Sequence, residues 1–260
     1  MTLVFEAVNR ASRSRLTAVP ATRPVDYTGR AMNPQPDKQT WQDVLAAGVA
    51  AQRVVPGCVA VGGSAAALYA RHRFSSDTDH LLPDLRTRFD EVRERLELEP
   101  DWKTARVQPP VLILGSFRDV EVRFRQSRRR DAIETVAIQT DAGPLVVPTL
   151  DEMIGMKAYM AYSRNATRDY LDLAALATIA GEAATTEALL KSDDRYGHLQ
   201  QASVGLEIAK ALSDPRPFDL DAVDLKDYKG LLPEWRDWPR VARICGEAGE
   251  RLAARLVIGP

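Results

Sequence analysis

The pattern of apolar and polar positions divides this chain into three stretches. Residues 1–38 mix Arg, Ser, Thr and Pro without a sustained hydrophobic period, which predicts a loose N-terminal arm. The run TWQDVLAAGVAAQRVV then has helical spacing, with Thr40 placed to cap its start and Pro56-Gly57 to stop it. CVAV reads as a strand, SAAALYARHR as a helix and DTDHLLP as a strand. LRTRFDEVRERLEL follows as a helix carrying Leu85, Phe89, Val92 and Leu96 on one side. VLILGSF, DVEVRFR and ETVAIQT are β-prone, with PLVVP a fourth such segment. After Pro148 the period is helical to the end, and Thr149 with Glu152 matches a capping box. The expectation is a mixed α/β domain over 39–148 followed by an α-helical domain over 149–260.

Composition and charge narrow the function classes. With 45% hydrophobic residues in 260, the chain can bury a substantial core. Lys plus Arg number 35 against 36 Asp plus Glu, so any nucleic-acid footprint has to be local. Cys58 and Cys245 are far apart and form neither a disulfide framework nor a zinc pattern. No run approaches the ~18 apolar residues of a membrane span. A cytoplasmic protein with no membrane partner is expected.

Candidate chemistry concentrates in VGGSAAALYARHRFSSDTDH, residues 61–80. Gly62 and Gly63 occupy a strand-to-helix turn, where free N–H groups and the helix dipole favour an anion. Asp77 and Asp79 point to one side of an extended strand, and their hard oxygens suit Mg²⁺. Each feature alone also fits a tight turn or solvated edge residues. Further on, EVRFRQSRRRD gathers Arg123, Arg125, Arg128, Arg129 and Arg130 into a local basic patch that can meet successive phosphates.

Gly-Gly-Ser, a helix and Asp-x-Asp in this order resemble the nucleotidyltransferase fold of the DNA polymerase β-like superfamily. EMIGMKAYMAYSRNATRDYLDLAAL is similar to the corresponding stretch of the AbiEii-type toxins, which include the MenT enzymes, and the likeness extends over roughly residues 55–180. It implies an α/β nucleotidyltransferase domain with a small mixed sheet, then a helical domain. A third carboxylate is implied on a later strand. Glu121 is favoured because Val120 and Val122 flank it, with Asp119 the alternative. Two departures from the family pattern are His80 after the acid pair and Glu in place of Asp as third acid.

By the same resemblance Asp77, Asp79 and Glu121 would hold Mg²⁺ or Mn²⁺. Gly63 and Ser64 would hold the terminal phosphates of a nucleoside triphosphate, and Lys157 would pair with them. Lys157 and Arg164, two helical turns apart, share a face and are expected to reach one triphosphate; Asp169 and Asp172 share another. Asp169 would position Lys157 or Arg164 or touch the nucleotide, and Asp172 would take part in nucleotide binding. An arginine–aspartate surface network is the bland alternative. The implied reaction transfers NMP to an acceptor hydroxyl with release of pyrophosphate. The expected acceptor is the 3′ end of tRNA, in a toxin–antitoxin system with a cognate antitoxin protein as partner. The alternatives are a protein side chain, a small molecule of the antibiotic type, or a non-catalytic nucleotide-binding module.

Overall fold

The computed structural model describes residues 40–258. The arm expected over residues 1–38 lies outside them. α1 (Trp41–Val54) starts as its sequence dictates: the Thr40 hydroxyl accepts the Asp43 N–H, and the Asp43 carboxylate accepts the Thr40 N–H. β1 (Val59–Val61), α2 (Gly62–Ala70), β2 (Asp77–Leu82), α3 (Phe89–Glu97), β3 (Trp102–Gln108), β4 (Leu112–Phe117) and β5 (Val120–Gln126) follow. A hairpin of β6 (Thr135–Thr140) and β7 (Gly143–Pro148) precedes the helices. These are α4 (Leu150–Arg164), α5 (Thr167–Ala180), α6 (Glu182–Leu190), α7 (Ser192–Tyr196), α8 (Val204–Ser213) and α9 (Trp238–Ile258).

The five-stranded sheet has the order β1-β2-β5-β4-β3. β2 and β5 run parallel and every other pair is antiparallel, so the sheet is mixed. The edge strand β3 has no counterpart among the segments read as β-prone. Its residues are mostly exposed, so its sequence lacks the alternation a half-buried strand shows. The β6–β7 hairpin does not join the sheet. The Gln52 side-chain amide ties it to α1, donating to the Val146 carbonyl at 2.7 Å and accepting the Val146 N–H at 2.8 Å.

The two faces of the sheet differ. Leu82, Ile113, Phe117, Val120, Val122 and Phe124 bury one face against α1 and α3, among them Val44, Ala51, Phe89, Val92 and Leu96. His80 belongs to this face; burial pushes its pKa down to about 4, so the ring is a neutral filler beside Phe124. Helix α3 begins at Phe89, four residues later than its apolar period suggests, although Leu85 is fully buried ahead of it. The second core joins α4, α5, α8 and α9 to Ala60 of β1, Ala65 and Ala66 of α2, and Leu145 and Val147 of β7. Helix α2 thus has the sheet on one side and α5 on the other. Residues 40–258 belong to one compact unit.

Half of the expected capping box at α4 is present. Thr149 Oγ accepts the Glu152 N–H at 3.4 Å, but the Glu152 carboxylate does not return to Thr149. It is buried and takes the guanidinium groups of Arg129 and Arg195 instead, because a buried carboxylate gains more from two cations than from one amide.

Candidate active site

The parallel register of β2 and β5 creates the acidic cluster. Asp77 stands opposite Glu121 and Asp79 opposite Arg123, with all four side chains on the face away from the α1–α3 core. Asp119 does not compete for this place. It lies in the β4–β5 turn with φ +68°, three-quarters exposed, and pairs with Lys103 at 3.3 Å. Partial burial pushes the Glu121 carboxyl up; Arg123 pulls it down, Asp77 and Asp79 push it up again, and the balance is upward. Like-charged neighbours and lost water both disfavour a third negative charge here.

Helix α2 opens directly on this cluster. Gly62 has φ +77°, and a Cβ there would lie 2.8 Å from Asp79 Oδ2, so both backbone and space exclude a side chain. No side chain caps the helix, which leaves its first N–H groups turned toward the acids. Ser64 is buried, and its hydroxyl reaches back to the Val61 carbonyl at 3.5 Å. A Cβ on Gly63 would lie 2.6 Å from Arg73 Nη2 and 3.1 Å from Ser75 Oγ. Ser75 in turn donates to Asp77. Arg73 and Ser75 were not among the candidates from sequence, although they sit between the glycine turn and the acid pair in the chain.

Arg73 is held from behind by a buried ionic network. Its Nε and Nη2 donate to Asp172 at 2.7 and 2.9 Å. Asp172 also meets His72 Nε2 at 2.8 Å and Lys157 Nζ at 2.6 Å. Lys157 Nζ further donates to Asp169 at 3.3 Å. Burial works against ionising Asp172, yet Arg73, Lys157 and the His72 hydrogen bond hold its carboxyl well below the usual range. The 72–74 segment is clamped from outside by the loop before α9. Phe74 N–H donates to Lys229, and Leu232 N–H donates to His72, at 3.1 and 2.9 Å. Trp235 is buried edge-on against His72, a packing role.

Two expectations about cations change in three dimensions. Lys157 and Arg164 do not reach a common surface: Lys157 is covered by α5, whereas Arg164 in the last turn of α4 is exposed. Equal helical phase does not ensure equal burial along a helix that is covered over only part of its length. The basic stretch is also divided. Arg123 turns into the acidic cluster, and Arg129 is buried on Glu152 and lies over the Tyr196 ring. Arg125, Arg128 and Arg130 remain on the exposed side.

A solved structure of an H. pylori protein assigned as a nucleotidyltransferase matches 84% of this chain and 95% of that one, with a TM-score of 0.50 and 17% identity. The chain has the nucleotidyltransferase fold. Antibiotic-resistance factor ANT(2'')-Ia matches 61% of the chain with a TM-score of 0.42 and 16% identity. No protein-family model matches. In sequence, 123 residues, 45% of the chain, are 37% identical to part of the heme uptake protein MmpL11 of Mycobacterium tuberculosis (strain ATCC 25618 / H37Rv). A similar stretch is 30% identical to the mycolic acid-containing lipids exporter MmpL11 of Mycolicibacterium smegmatis. Each match spans 12% of the relative's length.

On this nucleotidyltransferase fold, the donor chemistry of Asp77, Asp79 and Glu121 fits a hard divalent cation: three carboxylates, partly open to water, beside an uncapped helix start. In the conformation described they surround the Arg123 guanidinium, and among the described residues no three acidic, His or Cys side chains converge on one metal-sized point. No helix of the described residues is long and apolar enough to cross a membrane.

Proposed function

We propose that this chain is a metal-dependent nucleotidyltransferase that moves a nucleoside monophosphate from an NTP to an acceptor hydroxyl and releases pyrophosphate. The observation that carries this reading is the meeting of three carboxylates with the bare N-terminus of α2 and the Arg73 guanidinium. Asp77, Asp79 and Glu121 would hold Mg²⁺ or Mn²⁺, which when bound neutralises charge at the α-phosphorus and the leaving pyrophosphate.

The chain's own groups supply binding and orientation. The Gly63 and Ser64 amides receive the terminal phosphates at the positive end of α2. Arg73 lies beside Gly63 and adds a cation to the phosphate seat. Lys157, Asp169 and Asp172 fix that guanidinium from the buried side, so the cation is positioned before the nucleotide arrives. Arg164, at the exposed end of α4, would meet the nucleotide or the acceptor from outside. Glu121, whose carboxyl is pushed up, would share the metal or accept the proton of the attacking hydroxyl.

For the acceptor we favour the 3′ end of tRNA. The likeness of residues 152–176 to the AbiEii/MenT toxins and the exposed Arg125, Arg128 and Arg130 support it. A toxin role, with a cognate antitoxin as protein partner, rests on the same likeness. The test incubates the protein and its Asp79→Ala variant with total tRNA, Mg²⁺ and each α-labelled NTP. Label on tRNA 3′ ends with the native protein alone supports the reading. Label on protein or on an added aminoglycoside moves the acceptor, and no label together with no metal-dependent NTP binding overturns the enzyme.

A further inference from the structure

Strand geometry places the cation Arg123 within the acidic cluster. Two residues beyond Glu121 on β5, it projects from the same face. The parallel register sets it opposite Asp79. Its Nη1 donates to Asp79 Oδ1 at 2.7 Å and lies 4.0 Å from Asp77 Oδ2, while Nη2 donates to Glu121. One planar guanidinium therefore stands among all three carboxylates, in the space where a divalent cation would otherwise draw them together. The side chain is 24% exposed, so it has a path outward to solvent.

The charges set up a competition. Three carboxylates and one guanidinium leave a net charge of −2, so the site still attracts a cation, but its inner oxygens are already engaged. A phosphate oxygen pair is the other good bidentate partner for a guanidinium, and a triphosphate enters bearing several. We infer that Arg123 is an internal counter-ion that keeps the acidic triad from a free divalent cation and passes to the phosphates of the arriving nucleotide. The cation and the nucleoside triphosphate thereby bind as a pair. This rests on reading Asp77, Asp79 and Glu121 as the metal site.

The test measures Mn²⁺ binding to the whole protein by loss of the free-ion EPR signal, with and without an α,β-methylene NTP analogue, for the native protein, Arg123→Gln, Arg123→Lys and Asp79→Ala. The native protein is expected to bind Mn²⁺ weakly alone and about tenfold or more tightly with the analogue. Arg123→Gln is expected to bind Mn²⁺ alone about tenfold more tightly than the native protein and to lose most of the coupling. Arg123→Lys, which keeps the charge without the two-armed fork, falls between and shows that any Arg123→Gln effect is not misfolding. Native-like Mn²⁺ affinity and coupling in Arg123→Gln would overturn the inference while leaving the metal site standing. Equal Mn²⁺ binding by the native protein and Asp79→Ala, with the analogue present, would overturn the metal site and this inference together.

Discussion

Asp172 holds Arg73 through two hydrogen bonds, 2.7 Å from Nε and 2.9 Å from Nη2, and carries Lys157 on its other side. The aspartate is fully buried and both cations are nearly so. Asp172→Asn removes the shared anion and leaves two buried positive charges with Asp169 beside Lys157 alone, which is expected to cost about 3 kcal/mol in urea unfolding. Retained stability would show that water reaches the network.

The same carboxyl determines an acid response. Its folded pKa lies well below its unfolded value, so its contribution is present above the unfolded pKa of about 4 and is lost as pH falls through the folded one. Native stability is expected to drop as pH falls below about 4, and the drop in Asp172→Asn to be shallower. Chemical denaturation at stepped pH values compares the two slopes.

Gly63→Ala places a methyl 2.6 Å from an Arg73 nitrogen that Asp172 prevents from yielding freely. Nucleotide-analogue affinity measured by calorimetry is expected to fall at least tenfold, about 1.4 kcal/mol, and the melting temperature to fall with it as Arg73 is pushed off Asp172. Gly62→Ala adds a positive-φ penalty of about 1–3 kcal/mol and is expected to lower the melting temperature as well.

Burial pushes the thiols of Cys58 and Cys245 up to about 12 each. Neither is expected to react with an aromatic disulfide reagent at pH 8 until the protein is unfolded, when two thiols titrate. Reaction of the folded protein would mean that one of these cores opens readily.

Arginines in the 121–131 segment are expected to divide by role. Arg128→Ala with Arg130→Ala should weaken tRNA binding, lower the log–log salt slope by about 2, and leave stability unchanged. Arg129→Ala instead leaves Glu152 with Arg195 as its remaining guanidinium and should cost about 2–3 kcal/mol in unfolding. Filter binding across a salt series and urea melts separate the two effects.

Much of the local architecture was legible in the residues themselves. The cap at Thr40, the glycine turn, and the shared face of Asp77 and Asp79 depend on relations two or three residues long, which strand pleat and helix pitch enforce wherever they occur. Glu121 could be preferred to Asp119 because its apolar neighbours declare which way it faces. Edge strand β3 escaped notice because exposed polar residues leave no period to read. What the sequence could not disclose is which charges meet. His72 and Asp172 are 100 residues apart and touch because α2 packs on α5, which also brings Arg73 to the glycine turn; α5 against α4 turns Lys157 from an open cation into a buried one. Arg123 reads as part of a basic surface until the β2–β5 register sets it opposite Asp79. Local periodicity determines the elements and their faces, whereas ion pairing depends on through-space distance and desolvation, which only the packed chain decides.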